Sequence, residues 1–448
     1  MDEEEEMLRE LGISDVDELF ADVPEKVRHD IDIPEGISEM EVINEVKSKL
    51  DKNTSLDEIA NFAGGGIYRH FVPSSVFEII GRSEFYTSYT PYQAEISQGM
   101  LQSLFEYQSL ICELTGMEAA NTSMYDYPTA FAEAVLMSAR VGKRKRNRFL
   151  IPENIHWEKW SILDNYLRGT DIEIEKVRYD EDKGTIDEED LKNKMNDETL
   201  GFYVESPNAF GVLEENIDLY KDLKEDHRSI LVVGSNPIAL SLMKPPSEWG
   251  ADIVIGDSQP LGIPTSLGGP TVGIFACKKR HIRRMPGRMI GETEDQDGRT
   301  AYCMTLQTRE QHIRRERATS NICTNQALMA LASASYLFLK GGKGLEELAK
   351  ENYHQAHELA QHIDKIEGFE SPYFDGEFFN EFFVKIPVDD VQGLVKRAMD
   401  KKVLPGVGVG EGTGRLERSP SGLLVSTTET NTKKDKEKLI EVLKEVAE

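Results

Sequence analysis

A doubly wound α/β domain with a parallel-rich sheet, a smaller α/β domain behind it and a helical arm in front is the fold the sequence predicts. Three observations lead there. From about residue 148 the short β-rich runs "RFLIP", "IEIEKVRY", "LGFYVES", "SILVVGS", "ADIVIGD" and "TVGIFAC" follow one another, several of them separated by amphipathic or turn-rich stretches. Strands alternating with helices imply parallel βαβ units. A second, shorter set of helix and strand signals follows residue 340, and the first 60 residues hold helix signals without a wide apolar face.

The elements read in order as follows. Residues 1–60 form the arm: "SDVDELFADVP" offers a Ser14 cap with carboxylates in the first turn and Pro24 behind it, and "SEMEVINEVKSKLDKN" repeats the pattern. Such helices belong on a larger body. "NFAGGGIYRHFVPSSV" is a Gly-rich turn that either cradles a phosphate or packs Tyr68 and His70 at an interface. Helices over 95–114 and 128–141 precede the strands, and a long helix over 321–340 closes a large domain of 61–340. In 341–448, "GKGLEELAKENYHQAHELAQHIDKI" is helical and "FNEFFVKIP" (379–387) is a strand. "KVLPGVGVG", "GLLVSTTET" and a helix from 431 complete the small domain.

Composition excludes several classes. With 448 residues, 39% hydrophobic and 29% charged, the chain is globular rather than disordered. It has no apolar run of the ~18 residues a membrane span needs. The start "MDEEEEMLRELG" is acidic where a secretory signal is basic and then apolar, so a cytoplasmic location is expected. Cys112, Cys277, Cys303 and Cys323 form no CxxC pair, which argues against a zinc ribbon or disulfide scaffold. His354 and His357 lack a third nearby ligand, so no metal site is expected. A net charge of −28 opposes nucleic acid as a partner and fits either a saline medium or an ordinary acidic protein.

The element order suits a pyridoxal-phosphate-dependent transferase, aspartate aminotransferase-like, of fold type I. Such an enzyme needs a Schiff-base lysine, an acid at a strand end for the pyridinium nitrogen, and a helix N-terminus with small or hydroxyl residues for the phosphate. "LVVGSNPIALSLM" (231–243), where the acid belongs, has none. "GADIVIGDSQPLGIPTSLGGP" (250–270) has no lysine, and matching back from Ile263-Pro264 puts Gln259 at the lysine position. The phosphate helix near "NTSMYDYPTAFAEAV" offers Ser123 and Thr129 but sets bulky Tyr127 and Pro128 where small residues are wanted. Lys244, Lys278 and Lys279 lie outside the post-strand position and read as surface lysines.

The motifs "YTPYQAEISQG" (89–99), "ANTSMYD" (120–126), "MPGRMIGETEDQDGR" (285–299) and "LQTREQHIRRERATSNICTNQAL" (306–328) then identify a resemblance. From about residue 8 to the end the chain resembles the glycine cleavage system P-protein family, glycine dehydrogenase (decarboxylating), in its subunit 1 branch. Small departures are Ala94 for the usual proline, Arg317 for lysine, and Tyr127-Pro128. The resemblance implies a lysine-bearing subunit 2 that carries pyridoxal 5'-phosphate covalently, this chain being its degenerate paralogue. The two would assemble as a dimer of heterodimers. It further implies that glycine loses CO2 there and that the aminomethyl group passes to the lipoyl disulfide of H-protein.

In this fold family the active site lies between subunits, which points to two segments. Tyr89, Thr90, Tyr92, Gln93, Ser97 and Gln98 would face the other chain at a helix start. The alternative is a capping turn, with Thr90 or Ser97 as caps and the aromatics packed inside. "REQHIRRER" (309–317) supplies Arg309, His312, Arg314 and Arg315, either for carboxylates across the interface or an anionic substrate, or as an intrachain network. The basic runs 140–148 and 278–288 are solvated faces or steer an acidic H-protein. Two rival readings remain: a self-sufficient enzyme of the same fold, such as an aminotransferase, and a structural or regulatory paralogue without a role in turnover.

Overall fold

The computed structural model describes residues 3–29, 32–142 and 146–446, so 143–145 of the basic run 140–148 lie outside the described residues. Two compact units are formed, Met1–Ser55 and Leu56–Glu448. In the first, α1 (Glu3–Leu11) and α2 (Glu39–Leu50) have no buried residue. Ser38 and Glu41 close a capping box at the start of α2. The cap expected at Ser14 is instead Asp15. Its extended backbone (φ −151°, ψ 148°) is what an N-cap requires, and its side chain takes the Asp17 N–H, while Ser14 donates to Glu18.

The second unit begins with β1 (Ala60–Asn61), α3 (Ser74–Ile80), α4 (Ser83–Tyr86), α5 (Gln98–Thr115), β2 (Ala119–Ala120) and α6 (Tyr127–Val141). Strand and helix then alternate: β3 (Arg148–Pro152), α7 (Trp157–Leu167), β4 (Glu173–Val177), α8 (Glu188–Lys194), β5 (Thr199–Ser206), α9 (Ile217–His227), β6 (Ile230–Ser235), β7 (Ile253–Asp257) and β8 (Gly273–Cys277). The seven-stranded sheet has the order β2-β8-β7-β6-β5-β3-β4. Strands β3 to β7 are parallel and β8 runs against β7. Every residue of β5 is buried, as a strand covered on both faces requires. Its side chains divide between two faces: Phe202 and Val204 join one core with α5, α8 and α9, and Tyr203 joins the other with α6 and α7, as does Leu200, where the register against β3 shifts.

A hairpin of β9 (Met289–Glu294) and β10 (Thr300–Thr305) follows. It was not expected, because its tip is exposed and polar ("ETEDQDGRT") and gives no apolar alternation. After α10 (Gln311–Arg314) comes α11 (Ala327–Ile363), two helices that meet at Gly341, as expected on either side of 340, the first beginning at 327 rather than 321. Gly341, at φ 62° and ψ 172°, marks the kink between its halves. The chain ends with β11 (Glu381–Lys385), α12 (Val391–Asp400), β12 (Val403–Leu404), β13 (Val407–Val409), β14 (Gly422–Ser426) and α13 (Lys433–Val446). Here β11, β14 and β13 form a small antiparallel sheet, and β1 pairs with β12. The C-terminal ends of β3, β5, β6 and β7 open into a crevice, where ligands of open α/β sheets bind.

Candidate active site

The crevice holds a cavity of about 490 Å3 lined by Tyr68, Tyr127, His156, Trp157, Lys159, Glu205 and Asp257 among others. Lys159, from the first turn of α7, pairs with Glu205 at the end of β5, and both are buried. The Lys159 ammonium lies 3.9 Å from the Tyr127 ring centroid, and the Tyr127 and Tyr203 hydroxyls are 2.9 Å apart. Burial first, and then Glu205, push both phenols well above their usual pKa. Burial also carries Asp257 up to about 7, against the N–H bonds it accepts, and holds His156 well below the usual histidine value.

These residues do not fit pyridoxal phosphate. The strand end that should present an acid presents Ser235, Asn236 and Pro237 to the cavity. Gln259 has no amine to offer and turns into its own loop, its Nε2 donating to the Ile263 carbonyl at 2.9 Å. The phosphate seat is closed. Asp126 takes the Thr129 N–H at 2.8 Å, Asp257 takes the Tyr127 N–H at 3.2 Å, and Pro128 has none. The first-turn donors a phosphate would use are spent on carboxylates, which also repel it.

A second polar cluster lies between the two motif segments. Its hub is Arg288, buried at the entry to β9. Its guanidinium donates to the Tyr92 hydroxyl at 2.8 Å and to Thr90 Oγ1 at 3.2 Å. It reaches Glu310 Oε2 at 3.4 Å, and its carbon lies 5.1 Å from the Tyr92 ring centroid. His312 Nδ1 stands 3.6 Å from the same Glu310 oxygen, with its ring edge-on to Tyr92. Thr90 also meets Thr324, oxygen to oxygen at 3.3 Å. A buried guanidinium thus spreads its donors over two hydroxyls, one carboxylate and the Cys323 sulfur.

Thr90, Tyr92 and His312 therefore come together. Arg309 and Gln98 support them from behind. Arg309 donates to the Met285 and Gly287 carbonyls and so fixes the loop that presents Arg288. Burial lowers its pKa. Gln98 fastens the Tyr302 backbone through both ends of its amide, 2.8 Å each. Ser97 stands at the N-cap of α5 without a side-chain cap bond, and Tyr89 and Gln93 are exposed. Arg314 bonds the Thr308 carbonyl at 2.8 Å, and Arg315 is exposed with φ 53°. Tyr68 and His70 pack within this chain, on Glu381 and Glu429.

Sequence reading passed over Arg288, Glu310, Lys159, Glu205 and Asp257. A lysine between tryptophans in "WEKW" and a carboxylate ending the apolar "LGFYVES" were usable signals.

The fold is that of pyridoxal-phosphate-dependent enzymes of type I. The glutamate decarboxylase of Lactobacillus brevis superposes with a TM-score of 0.68 over 94% of this chain and 96% of its own, at 12% identity, a likeness of fold alone. The family described as glycine cleavage system P-protein matches residues 1–443, and the chain belongs to it. A Pyrococcus furiosus protein named "Probable glycine dehydrogenase (decarboxylating) subunit 1" is 46% identical over 99% of this chain and 97% of its own. A crystal structure of the glycine decarboxylase (P-protein) of the glycine cleavage system, in inhibitor-bound form, has a TM-score of 0.90 at 36% identity. It covers 100% of this chain and 99% of that one.

Proposed function

We propose that the chain is the non-lysine subunit of a two-chain glycine dehydrogenase (decarboxylating). With a lysine-bearing subunit 2 it decarboxylates glycine and transfers the aminomethyl group to the lipoyl group of H-protein. The family and the P. furiosus relative support this reading. Pyridoxal phosphate, an electron sink for the carbanion that decarboxylation leaves, belongs in it to subunit 2, since the cavity of this chain rejects the cofactor. The assembly is a cytoplasmic dimer of heterodimers. Residues 1–60 serve as its arm, 61–340 as the large domain and 341–448 as the small one. The uncovered Ile43, Val46 and Leu50 on one face of α2 belong against the partner.

The observation that carries the proposal is the meeting of both motif segments at Arg288 on an outward face. Tyr92 is 52% exposed there, beside Tyr89 at 78% and Ile96 at 80%. Arg288 donates to the Tyr92 oxygen, so the phenol keeps its own hydrogen for a group on the partner's side. Glu310 neutralises the guanidinium, and Thr90 fixes its plane.

Tyr92→Phe keeps the ring and removes the hydroxyl. Reconstituted with subunit 2, this variant should assemble normally in sedimentation while glycine–bicarbonate exchange falls at least about tenfold. Parental exchange in a normally assembled variant would make Tyr92 scaffold. Two independent monomers with full activity would end the partner-site reading.

A further inference from the structure

The outward cluster draws on three of the four motifs. The fourth, "ANTSMYD" (120–126), is fastened to two of these by hydrogen bonds. We propose that Asn121, with Ser123 and Asn325, is a positioning residue that sets the Tyr92 hydroxyl through Arg288. The proposal rests on the partner-site function given above. Asn121 is buried, and its Nδ2 donates to the Pro286 carbonyl at 3.1 Å. A carbonyl only accepts, which fixes the orientation of this amide. The Thr122 N–H donates to the Arg288 carbonyl at 2.9 Å, and Arg309 donates to the Met285 and Gly287 carbonyls. Four successive carbonyls, 285 to 288, are thus held, alternately by Arg309 and by the 121–122 segment.

The fit is close. Gly287, at φ 74°, would put an added Cβ 2.6 Å from Asn121 Nδ2, so the turn that precedes Arg288 lies directly on the amide. The 121–124 segment is in turn tied to the central sheet. The Asn121 N–H donates to the Phe275 carbonyl at 3.1 Å, and Met124 bridges Gly273 beside β8. The same segment reaches the other side of the cluster. Asn325 Nδ2 donates to the Ser123 carbonyl at 3.2 Å, and the Ser123 hydroxyl donates to Asn325 Oδ1. Asn325 directly follows Cys323 and Thr324, the residues that meet Arg288 and Thr90. One short stretch of sheet edge therefore sets both the guanidinium and the wall it leans on. A displacement of about 1 Å at such a support is enough to slow a reaction whose groups must be aligned. Asn121 is the support that can be removed without changing a charge, since the other side chain on these carbonyls is Arg309.

A double-mutant cycle tests the route through Tyr92. Glycine–bicarbonate exchange is measured for Asn121→Leu, Tyr92→Phe and the double variant, each assembled with subunit 2 and checked by sedimentation. Asn121→Leu is close in size and lacks the donor, and it should lower exchange at least about fivefold in an intact assembly. Added to Tyr92→Phe, it should lower exchange less than about twofold further, because the hydroxyl it positions is already gone. A general structural defect would instead multiply with the loss at Tyr92. Where Asn121→Leu does not assemble, Asn325→Leu, at a half-buried position, is read by the same criteria. Parental exchange in Tyr92→Phe ends the partner-site reading and this proposal with it. If Tyr92→Phe is slow but the leucine variant exchanges at the parental rate, or the two losses multiply, the positioning role alone is overturned. Failure of both leucine variants to assemble makes 121–123 a folding element and overturns it too.

Discussion

The two polar clusters use buried charge in opposite ways. At the strand ends, Lys159 and Glu205 face each other inside the chain, 1% and 3% exposed, and present nothing outward. Around Arg288 the ion pair is nearly as buried, 8% and 6%, but the phenol it holds is half exposed. The first cluster is a closed unit of structure in the place where this fold keeps its covalent chemistry. The second, in the function proposed above, is a rigid base for groups aimed at the partner subunit. The crevice is thus filled by an internal ion pair, while the outward polar chemistry lies elsewhere on the chain.

The contrast breaks first, if it breaks, at Lys159. Lys159→Met leaves Glu205 buried without its cation and should cost about 3–5 kcal/mol in denaturant unfolding. Adding Glu205→Leu to the same chain should recover most of that. A single variant within about 1 kcal/mol of the parent would show that the pair is not structural.

Glu381 gives a smaller, pH-dependent effect. Burial raises its carboxyl from 4.5 to about 7, although Tyr68 and the Gly65 N–H bond it. The folded chain therefore keeps a proton that the unfolded chain releases. Its contribution is complete below about 4.5 and is lost as pH rises through about 7, a swing of at most about 3 kcal/mol. Thermal melts of Glu381→Gln should match the parent near the acid end and exceed it above pH 7. A parallel pH profile for the two would refute the assignment.

At the outward cluster, Arg288→Lys keeps the charge but cannot reach Tyr92, Thr90 and Glu310 together. Exchange with subunit 2 should drop about tenfold, or about 1.4 kcal/mol in barrier, with assembly intact. An unchanged rate would reduce Arg288 to a source of charge.

The smallest effect is a null one. Gln259→Lys restores the missing lysine, yet borohydride treatment with pyridoxal phosphate should leave no stoichiometric adduct on the lone chain, because Asp126 and Asp257 still close the phosphate seat. An adduct at residue 259 would show that the lysine alone had been lacking.

The parallel sheet was readable because β5 and β6 are covered on both faces and so read as unbroken apolar runs. The hairpin of β9 and β10 was not, since its exposed tip carries no pattern that burial would impose. The break in α11 was legible too: the glycine pair at 341–342 stands where Gly341 leaves helical geometry between two helices. The misfit to the cofactor was legible as missing residue types at known distances from a strand. What filled the space was not, because Lys159 and Glu205 stand 46 residues apart and meet only through the fold. Arg288 sat in a quoted motif, but a lone arginine does not announce that its partners lie 196 and 22 positions away.

The segment from 60 to 71 has a consequence for how the chain comes to be folded at all. Its partners are β12, Leu424, Glu381 and Glu429, and the bonds from Gly65, Tyr68 and His70 span 316, 313 and 359 positions. On the ribosome this segment emerges early and waits for nearly the whole remaining chain before it can be fastened. Closing so long a loop is slow, and apolar surface stays open meanwhile. Trimming β14 and α13 would therefore do more than shorten the small sheet. It would also take away the Leu424, Ser426 and Glu429 partners of a segment near the other end of the sequence, leaving β12 and Glu381 alone to hold that wall of the strand-end cavity.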